Sequence, residues 1–280
     1  MRPPWRDRHE RLVPIKAAVL PALLLPGAVL AFWWATGGLG ARPVHELILG
    51  CGLWTVRLVM IALAITPARA VFDWPKLLLV RRMVGVAAMA YGLTHLSLYI
   101  VDQNFRLPMV VAEIVHRFYL TIGFVALSGL SVLGATSTDA AMRRLGRRWK
   151  WLHRTLYLIG VLAVLHYFIQ SKAMVGEPVM FAGCFVWLMA WRAIPASWQR
   201  KLGTLIALGL VVAIATAWIE FAWYALTTGI NPWRVLAANE SARFGLRPAH
   251  WVALVGLGVV LLAGAMRLWR GATMRLATAR

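Results

Sequence analysis

Three histidines stand inside apolar stretches, where an ionisable side chain needs a reason. His153 and His166 lie in WKWLHRTLYLIGVLAVLHYF, residues 149–168, and His95 lies in RRMVGVAAMAYGLTHLSLYIV, residues 81–101. A polar group left unpaired in hydrocarbon costs several kcal/mol, so each must meet a partner. A neutral imidazole is a good ligand for iron, haem iron included, and helical bundles hold cofactors between facing helices. A single histidine of this kind is accounted for by a bond to a carbonyl or a serine. Three of them, in two stretches and at matched depths, point to haem ligation by His95 and His166.

The depths follow from helix geometry. At about 1.5 Å per residue, the 13 residues between His153 and His166 span roughly 20 Å. In a hydrocarbon core of about 30 Å this places one ring near each face. Counted from Arg82, His95 lies roughly 20 Å into its stretch, and His166, counted from Lys150, about 24 Å into its own. If both helices run the same way, these two rings meet at one height. His153 sits at the basic end, where an interfacial hydrogen bond or a lipid headgroup would also satisfy it. Thirteen steps of about 100° leave His153 and His166 some 140° apart around a straight helix, so they need not address the same partner.

The elements that must position these rings are membrane helices. The chain has 280 residues, 61% of them hydrophobic, with a mean hydropathy of +0.69, far too apolar for a soluble domain. Apolar runs at about 15–35, 47–66, 82–101, 118–135, 151–169, 178–194, 203–227 and 250–269 predict eight spans. They lack strand alternation, and lipid cannot satisfy open backbone groups, so the fold class is all-α and polytopic. The second span is expected to close at Thr66-Pro67, since proline removes a backbone donor. Residues 102–117 and 228–249 read as loops on the far side.

A net charge of +20 would suggest nucleic acid for a soluble protein, but its distribution gives another account. Of the 30 Lys and Arg residues, 22 fall on the side of the amino terminus, seven on the other, and Arg57 within a span. The positive-inside rule then puts both termini in the cytoplasm. Anionic lipid headgroups are sufficient partners for the basic surface, and no nucleic-acid site is needed. The first apolar run follows Arg2, Arg6, Arg8, Arg11 and Lys16; it is longer than a signal-peptide core and reads as a retained anchor. Cys51 and Cys184 lack metal spacing and read as core residues.

Two further charges are costly where they lie. Arg57 needs an anion such as a haem propionate or Glu220, or a snorkelling route to water. Arg81 and Arg82, at the start of the third span, are further candidate propionate contacts. Glu220, flanked by Trp218 and Trp223, suits either an interhelical hydrogen bond or a proton or quinone role. There is no GxGxxG after a strand, no Walker loop, no zinc spacing and no Ser/His/Asp pattern, so electrons would arrive from a separate donor.

Several segments together carry a family resemblance: GGLGARPV, ITP, RRMVGVAAMAYGLTHLSLY, YLTIGFVAL and LGRRWKWLHRTLYLIGVLAVLHYF. Over roughly residues 15–195 the chain resembles the MsrQ (YedZ) family of haem-binding membrane subunits, within the ferric-reductase-like transmembrane superfamily. The resemblance implies a six-span haem b core at 15–195, after a cytoplasmic segment at 1–14, with two additional spans and a tail at 196–280. It implies a bacterial inner-membrane subunit that passes electrons to a periplasmic molybdopterin methionine sulfoxide reductase of the MsrP type. The quinone pool or a cytosolic flavin reductase is the implied donor, with FMN as an associated cofactor. His95 and His166 match the family's outer haem ligands, and His153 the third family histidine. Superfamily members with two haems carry another histidine where Arg81 and Arg82 stand here. Loops 36–46, 102–117 and 170–177 would dock the partner. The rival readings are a ferric or quinone reductase acting directly at the outer face, and a transporter or proton channel relaying through the histidines and Glu220.

Overall fold

The computed structural model describes residues 11–172, 174–243 and 245–278, the last five by their backbone alone. Arg2, Arg6 and Arg8 lie outside the described residues. Helices are the only regular secondary structure among the described residues, as expected. They pack into two compact units, one of residues 1–65 and 76–170, the other of 66–75 and 171–280.

The first unit holds α1 (Pro14–Ala35), α2 (Pro43–Val71, up to residue 65), α3 (Arg81–Asp102), α4 (Leu107–His116), α5 (Phe118–Ala135), α6 (Asp139–Leu145), α7 (Arg147–Arg154) and α8 (Leu156–Gln170). The α1–α2 turn is made at GGLG, where Gly37 and Gly40 take φ of +73° and +72°, a region open to glycine. Pro21 and Pro26 lie inside α1. Beside Pro26, the Tyr91 hydroxyl of α3 accepts from the Gly27 N–H at 2.7 Å and donates to the Leu23 carbonyl at 2.9 Å. A side chain thus serves backbone groups that a proline-bearing turn satisfies poorly, and it ties α1 to α3.

Three expectations are corrected here. Helix α2 does not stop at Pro67 but runs on to Val71, because one lost donor weakens a membrane helix without ending it. Residues 102–117 are not an open loop: LPMVVAEIVH forms α4, started by a proline in its first turn. Leu107, Val111, Val115 and Phe118 form an exposed apolar stripe there, suited to a lipid–water interface. The stretch around His153 is not one straight helix. It breaks at Thr155, whose N–H bonds the Leu152 carbonyl three residues back, so the angle computed for a straight rod does not hold. Before that break, Thr138 caps α6 through its hydroxyl, and Gly146, at φ +51°, turns the chain into α7.

The second unit holds the last turns of α2, α9 (Gly176–Ala193), α10 (Leu202–Thr227), α11 (Pro232–Ala237) and α12 (Pro248–Thr278). Its core gathers Val71, Trp191, Leu205, Leu208, Val212, Val252 and Ala263. Gly183 of α9 is required there, since a Cβ would stand 2.3 Å from Thr216 Oγ1. Among the described residues seven helices are long and apolar enough to cross a membrane, against eight expected. The difference is α9, an 18-residue helix whose ends carry Glu177 and Arg192 and are correspondingly less apolar.

Candidate functional site

His95 of α3 and His166 of α8 face each other. Their ring centroids are 6.5 Å apart and their planes cross at 81°. Nδ1 of His95 lies 2.8 Å from the Ile48 carbonyl of α2, and Nδ1 of His166 lies 2.7 Å from the Tyr119 carbonyl of α5. A carbonyl can only accept, so both Nδ1 atoms carry the proton and both Nε2 atoms keep a lone pair. This is the tautomer a metal requires, fixed by a bond behind the ligand.

Each ring reaches its carbonyl because the residue four positions on is glycine. A Cβ on Gly52 would stand 3.0 Å from His95 Nδ1, and one on Gly123 only 2.7 Å from His166 Nδ1 and Cε1. The two cradles repeat at one offset: Ile48 to Tyr119, Gly52 to Gly123 and His95 to His166 are each separated by 71 positions (119 − 48, 123 − 52, 166 − 95). Sequence reading found the histidines and missed the cradles, though the shared spacing was the available signal. Gly123→Ala is expected to overpack this contact and cost about 1–3 kcal/mol. That outweighs the helix-propensity gain of about 1 kcal/mol. Gly85→Ala, with open space around the new methyl, should gain instead. Thermal denaturation of the two variants should therefore move in opposite directions.

Two nitrogens alone do not make a zinc site, which wants four protein ligands, or three and a water. Among the described residues no group of three or more His, Cys, Asp and Glu could hold a metal ion. The pair suits a metal whose remaining ligands come from a macrocycle. The spacing fits: about 2 Å from metal to each imidazole nitrogen, plus about 1.1 Å from nitrogen to ring centre, gives centroids about 6.2 Å apart.

The remaining expected residues lie elsewhere. His153 is half-buried, stacked on Trp149 at 4.0 Å, with Nε2 3.4 Å from Thr136 Oγ1. Trp149 also donates to the Thr136 carbonyl at 2.9 Å, so this cluster fastens α7 to the end of α5. Arg82 pairs with Asp139 at 2.5 Å. Arg57 lies over the Trp54 ring at 4.9 Å. Gly92 serves helix packing, against Leu127 and Thr55. In the second unit Glu220, 2% exposed, takes Arg247 Nη2 at 2.6 Å on Oε1, with Arg247 Nε at 3.3 Å and Asn239 Nδ2 at 3.0 Å on Oε2.

Residues 51–164 match the family described as ferric reductase like transmembrane component, which makes the chain a multi-pass membrane protein of that class. It is 42% identical over 200 residues to the protein-methionine-sulfoxide reductase heme-binding subunit MsrQ of Rhodospirillum rubrum, covering 71% of this chain and 94% of that one. The proteins of the same name from Xanthomonas campestris pv. campestris and Bordetella pertussis are 41% and 36% identical, covering 68% of this chain and 88% and 92% of theirs. The chain belongs to the MsrQ family. No solved structure matches it.

Proposed function

We propose that the chain is a haem b subunit that carries electrons across the bacterial inner membrane to a periplasmic methionine sulfoxide reductase of the MsrP molybdopterin type. The observation that carries the reading is the pair of imidazoles at 6.5 Å, both held by Nδ1 with Nε2 free to ligate. The relatives' name supplies the haem and the reductase. The haem, when bound, supplies a one-electron couple, and the protein supplies its ligation and burial. His95 and His166 would hold its iron. The Ile48 and Tyr119 carbonyls orient them and raise their basicity, while Gly52 and Gly123 keep the approach open.

Of the cations proposed as propionate contacts, Arg82 is held by Asp139 at 2.5 Å and stands with Arg81 roughly 20 Å along α3 from His95, which leaves Arg57 as the candidate for a haem at this pair. His153 is the place for a second haem, but carrying the 71-residue offset back from it leads to Arg82 (153 − 71), not to another imidazole. One haem is therefore what the reading requires, and FMN is not needed by it. Residues 15–195 make up the electron-carrying core, 196–280 add to it, and both termini are cytoplasmic. The quinone pool or a cytosolic flavin reductase supplies the electrons, and segments 36–46 and 102–117 dock the reductase. A proton relay is less well supported, because each Nδ1 is committed to a backbone carbonyl.

The test is an absorption spectrum of the purified protein, reduced with dithionite in the absence of oxygen and then mixed with an MsrP-type reductase and methionine sulfoxide. Reduced haem bands that decay only when both partners are present are the expected result. A colourless protein, or bands that persist, would overturn the reading.

A further inference from the structure

A chain of polar side chains links α3, α4 and the start of α5 without touching the Nε2 atoms of the two histidines. Tyr99 lies on α3 one turn past His95, and its hydroxyl donates to Glu113 Oε2 at 2.7 Å. Arg117 Nη2 donates to Glu113 Oε1 at 2.7 Å, and its Nη1 to the Tyr119 hydroxyl at 3.4 Å. The Tyr119 hydroxyl, and after it the Glu113 carboxylate, hold the Arg117 guanidinium above its usual pKa. Tyr119 in turn stacks on His166, with centroids 6.3 Å apart and planes 26° from parallel, and lends it the carbonyl acceptor.

Glu113 is the hub. It is the residue of α4 that bonds both neighbours, and its side chain is only 18% exposed, so its charge-assisted bond from Tyr99 is partly sheltered, whereas the one from Arg117, 52% exposed, lies open to water. Besides it, α4 is fastened inward by the buried Val110 and by the Ile114 carbonyl, which accepts from Thr121 Oγ1 of α5 at 2.6 Å, while Val111 and Val115 face out. We propose that Glu113 is a positioning residue for the His95–His166 pair. It ties α3, one turn past His95, to the first turn of α5, against which His166 leans, and so fixes the angle between the rings. The inference rests on the reading of these histidines as haem ligands. Partners behind a ligand commonly change metal affinity by about 10–100-fold and tune the metal as well.

The ferric EPR spectrum of a bis-imidazole haem reports the angle between the ligand planes and is most anisotropic when they are near perpendicular, as the 81° here requires. The full-length protein should show that spectrum. Tyr99→Phe and Glu113→Gln should keep the haem absorption but shift the ferric signal toward smaller anisotropy. The double variant should go no further than Glu113→Gln, because both changes act through one carboxylate. A parent spectrum of the parallel-plane kind overturns the proposal, as do variant spectra that superimpose on the parent, or shifts that add. Where Glu113→Gln does not fold, Tyr99→Phe decides, since it removes one hydroxyl and leaves the packing intact. His95→Ala separates the two ideas. Haem retained in it sinks the ligand reading; haem lost in it, beside an unchanged Tyr99→Phe spectrum, sinks the positioning alone.

Discussion

Replacing either His95 or His166 by alanine is expected to abolish the haem bands of the purified protein, while His153→Ala leaves most of them. The asymmetry follows from what each ring touches. His95 and His166 have Nδ1 on a carbonyl and Nε2 available, at a separation that a shared metal would set. Removing one would leave a single imidazole to hold the group, and partners merely behind a ligand are already worth about 10–100-fold in affinity. His153 is occupied with Thr136 and Trp149, where it fastens two helices. A cavity variant gives the sharper check: His95→Gly should regain low-spin bands when free imidazole is added. Full haem in His95→Ala or in His166→Ala would withdraw the ligand assignment.

How far this site could be read from sequence depends on the kind of force involved. The spans were legible because hydrocarbon imposes its own length and polarity on a helix, and a histidine amid such residues stands out. The matched depths of His95 and His166 needed only the helical rise. Their acceptors were not legible, since a backbone carbonyl has no side-chain signature. Gly52 and Gly123 carry no local mark that sets them apart from packing glycines; only the ring against each, and the offset they share, does so. The amphipathic α4 was lost for another reason: it is short, and Asp102, Arg106 and Arg117 around it read as a wet loop. Pro67 misled because the rule that proline ends helices is weaker in membrane segments, as Pro21 and Pro26 of α1 also show. Arg247, the partner of Glu220, is 27 residues away across the segment between α10 and α12, a pairing that only folding reveals.

That pairing carries the second large effect. Arg247→Met should destabilise the protein by about 3–5 kcal/mol, the usual cost of stranding one charge of a buried pair. Glu220 is nearly inaccessible, at 3% side-chain exposure, whereas the side chain of Arg247 is 30% exposed. The carboxylate therefore carries most of the desolvation, and losing its cation leaves only the Asn239 amide to hold it. Glu220→Gln should cost less, because an exposed guanidinium can turn to water. Replacing both, as Glu220→Leu with Arg247→Met, should recover most of the loss, since apolar residues can match a buried pair once neither charge remains. Thermal unfolding of the full chain in detergent, followed by helical circular dichroism, ranks the three variants. An Arg247→Met protein as stable as its parent would mean that water already serves the Glu220 carboxylate. A charged, buried clamp would then not be what holds the segment before α12 to α10.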